Sequence, residues 1–229
     1  MIQNLRKFLK DIADAIRAKE GSTEKINPQD FATKIKNFKN GTGHLRGVFI
    51  QHIDGSLHTI EEWSKHGYTN DEANGVALCD LNARFVIAKI EIEESMWASD
   101  TTNRLESVNT LNYYMGPKTD YDGVGNTEGM LKVDVSGAAY LCNNYIFPNG
   151  SKGYLPACGE LDLIVTNSQI INEAMELIGG TIYDGSYWSS TQESSTRAWI
   201  YKYSSVQTFF AEFSKSASYK VRPCAILPL

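Results

Sequence analysis

Several residues in this chain carry groups capable of chemistry. Four histidines, at positions 44, 52, 58 and 66, fall in one short early segment. Imidazoles so close together could hold a zinc ion, or be ordinary strand and loop histidines. No HExxH pattern joins them, and no thiolate stands nearby. The alternating faces of the strands expected there also argue against a zinc site from His52 and His58. Cys79, Cys142, Cys158 and Cys224 are widely spread with no CxxC pair, and are read as free, partly buried thiols. The acidic neighbours Glu61–Glu62 and Glu93–Glu94 are adjacent, and adjacent residues on a strand face opposite ways, so neither makes an acid/base pair. GxSxG, GxxxxGK[ST] and GxGxxG are all missing from the sequence. In DYDGVGNTEG, residues 120–129, the oxygens of Asp120, Asp122, Asn126 and Glu128 could face Ca²⁺. Their spacing is not that of a twelve-residue calcium loop, so the stretch is read as a structural turn and no cofactor is assigned.

A different kind of chemistry lies near the C-terminus. The chain has Tyr 12, Phe 9 and Trp 4. Ten of these rings, and ten serines, lie between Tyr183 and Tyr219. Rings beside small hydroxyl residues suit binding rather than catalysis. In a strand, Trp199, Tyr201 and Tyr203 share one face, and Ala198, Ile200 and Lys202 the other. In the next, Phe209, Ala211 and Phe213 oppose Thr208, Phe210 and Glu212. Either these rings form an aromatic β core with polar turns, or some of them reach the surface.

Strands and helices must position these groups. Ile2, Leu5, Leu9, Ile12 and Ile16 are spaced 3, 4, 3, 4 as a heptad seam, and Gly21 stops that helix. A second helix follows, with Asn27 as N-cap, Pro28 at its first position and Phe31, Ile35 and Phe38 on one side. Two such short helices have little core of their own. They dock on the rest of the chain, or they self-associate or join a larger assembly. The strict seam favours the latter. Asn40–His44 reads as a linker. RGVFIQHI and SLHTI then form a hairpin around Asp54–Gly55. EEWSKHG is a short helix, and GVALCDL and FVIAKIEI are strands. VDVSGAAYLCNNY and LDLIVTNSQIINEAMELIG are helical. RAWIYKY, VQTFFAEF and YKVRPCAIL are the closing strands. The fold class is α+β.

The totals exclude some partners. The 229 residues carry 22 Lys+Arg and 27 Asp+Glu, a net charge of −5. That disfavours nucleic acid, whose binding rests on phosphate neutralisation. No stretch approaches the length of a membrane span, so no membrane insertion is expected. Charges at Arg6, Lys7, Lys10, Asp11 and Asp14 interrupt any signal-peptide core.

Five segments then run in order: KGYLPACGEL at 152–161, INEAMELIGG at 171–180, YWSST at 187–191, AW at 198–199 and YKVRP at 219–223. This set resembles the C-type-lectin-fold variable proteins of diversity-generating retroelements, phage tropism determinants among them, and related bacterial domains. The resemblance covers residues 120–229, and more loosely 45–229. LKDIADAIRAKEGSTEKINPQDFATKI is similar to the opening segment of many phage tail-fibre and tail-associated proteins.

The resemblance implies a C-type lectin-like fold preceded by a small helical segment. Residues 1–40 would attach or oligomerise the protein, and 44–229 would bind ligand. The implied protein is a phage tail receptor-binding protein of the virion, made in the host cytoplasm. Its implied partners are a bacterial surface protein or glycan, tail components held through the N-terminal helices, and further copies of itself. In such families adenines of a template repeat are miscopied, so AAY codons become many residues but never Trp, Met, Lys, Gln or Glu. That sets aside Trp188, Gln192, Glu193, Trp199, Lys202, Gln207, Glu212, Lys215 and Lys220. The implied variable, ligand-binding positions are Asp184, Ser186, Thr196, Arg197, Ile200, Thr208, Phe209, Ala211, Phe213, Ser216 and Ala217. Trp188 and Trp199 would be core anchors, and Arg222 and Pro223 would lock the last strand. Cys224 stands where the family has an apolar residue. The sugar-binding EPN and QPD tripeptides are missing from the C-terminal domain. The fold is also similar to that of formylglycine-generating enzymes, whose chemistry needs a close cysteine pair. Nothing around Cys142 and Cys158 resembles one. A structural tail or baseplate component is the other alternative.

Overall fold

The computed structural model describes residues 9–10, 12–14, 26–28, 46–101, 105–112, 116–203 and 208–228. The chain divides into two units, residues 1–46 and residues 47–228. In the first, Leu9, Lys10 and residues 12–14 are helical. Ala13 and Ile26 are buried together there, with Leu9 and Ile12 packed against them. The Gly21 stop, the body of the second helix and the Asn40–His44 linker lie outside the described residues.

The second unit holds two five-stranded sheets. The first runs β10-β4-β3-β1-β2, with β1 Gly47–His52, β2 Leu57–His58, β3 Ala73–Cys79, β4 Arg84–Ile87 and β10 Cys224–Ile226. All its pairs are antiparallel. Its period-2 pattern sorts side chains between two cores. Val48, Ile50, Val76, Leu78, Phe85, Ile87 and Cys224 enter the larger cluster. Ala77, Cys79, Val86 and Ala225 enter a smaller one on the other face, around Phe147. The seven residues of β3 are therefore all buried.

The second sheet runs β5-β9-β6-β7-β8, with β5 Ile92–Met96, β6 Gly185–Gln192, β7 Arg197–Tyr203, β8 Phe209–Ser214 and β9 Ser218–Val221. Only the β6–β9 pair in it is parallel. Five α-helices accompany the sheets: α1 Ile60–His66, α2 Gly123–Leu131, α3 Ala138–Asn144, α4 Cys158–Thr166 and α5 Ser168–Leu177. α4 and α5 fill the larger core with Leu161, Ile164, Ile171, Ala174 and Met175. α2 and α3 fill another with Met130, Ala138, Ala139 and Cys142.

Local chemistry explains where elements start and stop. Thr59 and Glu62 form a reciprocal capping box on α1, and Gly67 ends the helix at φ 70°. The helix expected across 161–178 is instead two. Asn167 ends α4, donating its side-chain Nδ2 and its backbone N–H to the Leu163 carbonyl. The strand expected over FVIAKIEI is also split. The Ala88 and Lys89 carbonyls leave the ladder to accept from the Arg222 guanidinium, and Lys89 also accepts from Thr181 N–H. The chain passes from one sheet to the other at that point.

Two further stretches shape the second sheet. The stretch read as a structural turn at 120–129 enters α2, with Asp122 accepting from Gly125 N–H as N-cap. Gly129 belongs there because a Cβ would collide with the Ser107 carbonyl. YWSST lies in β6, whose Ser189, Ser190, Thr191 and Gln192 are all fully buried.

Candidate ligand-binding surface

The second sheet is held by polar groups placed inside it. Asp120, 5% exposed, accepts from Asn109 Nδ2 at 2.9 Å, Asn126 Nδ2 at 2.9 Å, Thr191 Oγ1 at 2.7 Å and Asp122 N–H at 3.1 Å. One carboxylate thus ties the loop 105–111, the start of α2 and strand β6 together. Gln192 continues the tie. Its Oε1 accepts from Leu105 N–H, and its Nε2 donates to the Leu105 and Val108 carbonyls. Three buried tryptophans donate indole N–H groups to backbone carbonyls: Trp97 to Ser189, Trp188 to Ser95 and Trp199 to Leu111.

This network occupies the oxygens of Asp120 and Asn126. Asn126 turns its Nδ2 to Asp120 and spends its Oδ1 on Asn109 N–H. Asp120 is filled by donors, and Glu128 is exposed on α2. Among the described residues no group of three His, Cys, Asp or Glu side chains is arranged to hold a metal. An open cleft of about 540 Å³ lies over the hub, lined by Asn109–Leu111 and Thr119–Asp122.

The middle of the sheet is core on both faces. Tyr187, Trp199, Tyr201 and Phe210 pack into the larger cluster. Trp188, Ala198, Ile200 and Val221 pack into the one under α2 and α3. Six of the ten rings between Tyr183 and Tyr219 are buried, namely Tyr183, Tyr187, Trp188, Trp199, Tyr201 and Phe210. Ile200, expected at the surface, is 1% exposed and sits opposite Trp188 on one side and Ala211 on the other. It presents nothing to a ligand.

The other ten candidate positions reach solvent at the rims, in two groups. Register sets the first, where Ser186 lies opposite Lys202 and Lys202 opposite Phe209. The Lys202 ammonium lies 5.6 Å from the centre of the Phe209 ring. Thr208 precedes Phe209 and is exposed, as is Asp184, whose carbonyl accepts from Lys220 Nζ at 3.0 Å. The second group gathers where the β6–β7 and β8–β9 turns meet. Lys215 N–H donates to the Thr196 carbonyl, and Arg197 lies opposite Ser214 and pairs with Glu212 at 3.4 Å. Ser216 is exposed beside them and Ala217 half-buried. Phe213, 39% exposed, meets Tyr219 edge-on at 5.3 Å, and Tyr219 meets Trp188 at 4.9 Å. Ala211 is half-buried against the core.

Charge around the surface is largely paired. Lys118 binds Asp162 at 2.8 Å and Lys220 binds Glu91 at 3.0 Å. Burial raises the Glu91 carboxyl, but Tyr187, Lys220 and Arg222 outweigh it and hold it below its ordinary value. Lys215 is fully buried over the Trp97 ring and donates to Gln192 Oε1 at 3.0 Å. Burial pulls its ammonium down to about 8, opposed by Asp100. Lys202 makes no carboxylate pair among the described residues.

Sequence reasoning missed Asp120, Gln192 and Lys215 as the groups that fix this surface. The one signal available was a run of polar residues flanking Trp188, too polar for a surface strand that alternates. The thiols are all buried and unpaired, and burial raises those of Cys142, Cys158 and Cys224 above their ordinary value.

No family model matches the chain, and no curated protein sequence matches it. Among solved structures it is similar to a fimbrial protein from Bacteroides ovatus, with a TM-score of 0.53 and 16% identity. The match covers 79% of this chain and 48% of that one, so the chain spans about half the length of that protein. At this identity the likeness is one of fold, a mixed α+β arrangement of two sheets with helices. Among the described residues, no helix is long and apolar enough to cross a membrane.

Proposed function

We propose that this protein is a non-enzymatic surface-binding protein whose C-terminal unit is C-type lectin-like and grips a bacterial surface protein or glycan with the rims of its second sheet. The observation that carries this is the split of that sheet. Its centre is locked on both faces, while Ser186, Lys202, Phe209 and Phe213 reach solvent at its edges. A locked sheet keeps the rim side chains in place when they change, which is what a diversified binding surface needs. Lys202, with no carboxylate partner among the described residues, offers a cation next to the Phe209 ring. Covering Phe209 or Phe213 would contribute roughly 1–2 kcal/mol each by apolar burial. Several copies on one particle would raise weak single-site binding by avidity. Buried thiols with raised pKa values are poor nucleophiles, which supports binding rather than catalysis. The sequence resemblance supports a phage tail receptor-binding protein with variable positions at the rims.

The test is binding of the purified full-length chain to a panel of bacterial cells. Lys202→Glu and Phe209→Ala together should cut binding at least tenfold with an unchanged Tm. Equal binding by the variant would sink the surface. The DNA beside the gene should hold a near-copy of the codons for residues 183–224 that differs at adenines. A structural component of a surface assembly is the second reading, favoured by the likeness to a fimbrial protein. It predicts no such near-copy and no cell binding.

A further inference from the structure

Three of the four histidines meet around one ring, far in sequence from the surface proposed above. Tyr68 lies 5.0 Å from His52, 5.1 Å from His58 and 5.1 Å from His66, ring centre to ring centre. Trp63, 1% exposed, closes the cluster at 4.8 Å from Tyr68. His58 lies 6.3 Å from His52 and 5.7 Å from His66. His52 comes from β1, His58 from β2, and Trp63 and His66 from α1, and Tyr68, in the loop just after α1, joins them at the centre. β2 has only two residues and pairs with β1 only through Ile50–His58 and Gln51–Leu57. We infer that the cluster is an acid-responsive clasp, in which proton uptake at His58 releases β2 and α1 from β1.

The surrounding charges single out His58. His52 Nδ1 lies 3.0 Å from Asp54 Oδ1, and Nε2 lies 3.9 Å from Glu72 Oε1. Asp54 stays ionised, its carboxyl held down at about 2 by the Ser56 hydroxyl and amide, with help from His52. A charge on His52 therefore has carboxylates to meet it. His58 Nε2 instead faces the Ser56 hydroxyl at 2.9 Å, which donates to Asp54. The nearest carboxylate on α1, Glu62, is committed to the Thr59 amide and hydroxyl. Glu61 on that helix pairs with Lys65, and Glu72 also accepts from Thr69. α5, which packs on β1 and β3, buries Ile171, Ala174 and Met175 and leaves Glu173 and Glu176 exposed. Protonated His58 would thus stand between two other imidazole rings, 6.3 Å from His52 and 5.7 Å from His66. Burial lowers the His58 pKa, and repulsion from His66 and His52 lowers it further against Glu62 and Asp54.

The sign follows from linkage. A histidine whose native pKa lies below its open-state value leaves opening unaffected above that value, where both forms are neutral. As pH falls from the open-state value to the native one, the opened form takes up a proton that the closed form does not. The opening constant should rise across that window, by at most tenfold per pH unit, and level off below it.

NMR titration and amide exchange of the full-length protein test this. His58 should titrate below an unfolded peptide reference. His66→Gln should raise its midpoint by removing a like charge. Amides of residues 57–66 should open with the stated slope while those of β3 and β4 do not, and His58→Phe should abolish the slope. A His58 midpoint at or above the reference would overturn the proposal, as would a midpoint that His66→Gln leaves in place. If His58→Phe does not fold, the His66→Gln titration still decides.

Discussion

Glu160 shows at one residue what the sequence conceals. It is the third residue of α4, and its carboxylate accepts from the amide of Ala157, the residue that precedes the helix. The fold then buries it to 4% exposure, where it accepts from Tyr154 Oη at 2.7 Å and Ala157 N–H at 2.8 Å. Burial raises its carboxyl to about 8, against the lowering effect of those two bonds. A carboxyl whose native pKa is raised binds its proton more tightly when folded. Its contribution is whole below the unfolded value near 4.5 and is lost as pH rises towards about 8. Stability should therefore fall by about 1 kcal/mol per pH unit across that window. Glu160→Gln should flatten the fall, because Tyr154 can turn its hydroxyl to accept from an amide. Urea denaturation of both proteins at pH 5, 6, 7 and 8 checks this. Parallel curves would remove Glu160 as the cause.

Elements were legible where one period ruled. β1, β3, β4, β7 and β8 each show in the sequence because apolar residues recur every second position or fill the whole strand. β6 did not show, since Ser189, Ser190, Thr191 and Gln192 read as surface and become core only through partners far along the chain. α2 did not show because Gly123, Gly125 and Gly129 argue against a helix, yet close packing needs two of them small. The candidate surface was legible in part. Alternation sorted β7 and β8 correctly between faces, but sequence could not tell that both faces would be covered at mid-sheet, so Ile200 was placed outside. Asp120 joins these hidden elements, and every group it meets is a donor. Asp120→Asn keeps the shape but turns an amide N–H₂ towards donors. It should cost about 2–4 kcal/mol, more than the Ser216→Ala rim change, which should stay within about 0.5 kcal/mol. Thermal unfolding separates the two. A mild Asp120→Asn effect would mean that the loop 105–111 and α2 are held by something else.

At the scale of the whole molecule, the question is what the two units contribute to binding. Residues 47–228 own the three larger cores, so their stability has sources within that unit. The first unit has a small core, Ala13 with Ile26, beside a heptad seam in its sequence. A seam of that kind gains most by meeting another copy. Linking copies turns a second contact into an intramolecular event, which can raise binding by about 10²–10⁴ without any new contact. Deleting residues 1–44 should then leave the Tm of the remaining chain within a few degrees of the full protein. It should also lower the mass in solution to that of one copy. Attachment to cells should weaken by about a hundredfold or more, while affinity for a single immobilised ligand at low density stays the same. Sedimentation velocity and surface binding at two ligand densities measure these separately. If the truncated chain stays oligomeric, the contact lies in the C-terminal unit. If the full chain is already a single copy, the seam does not link copies of this chain.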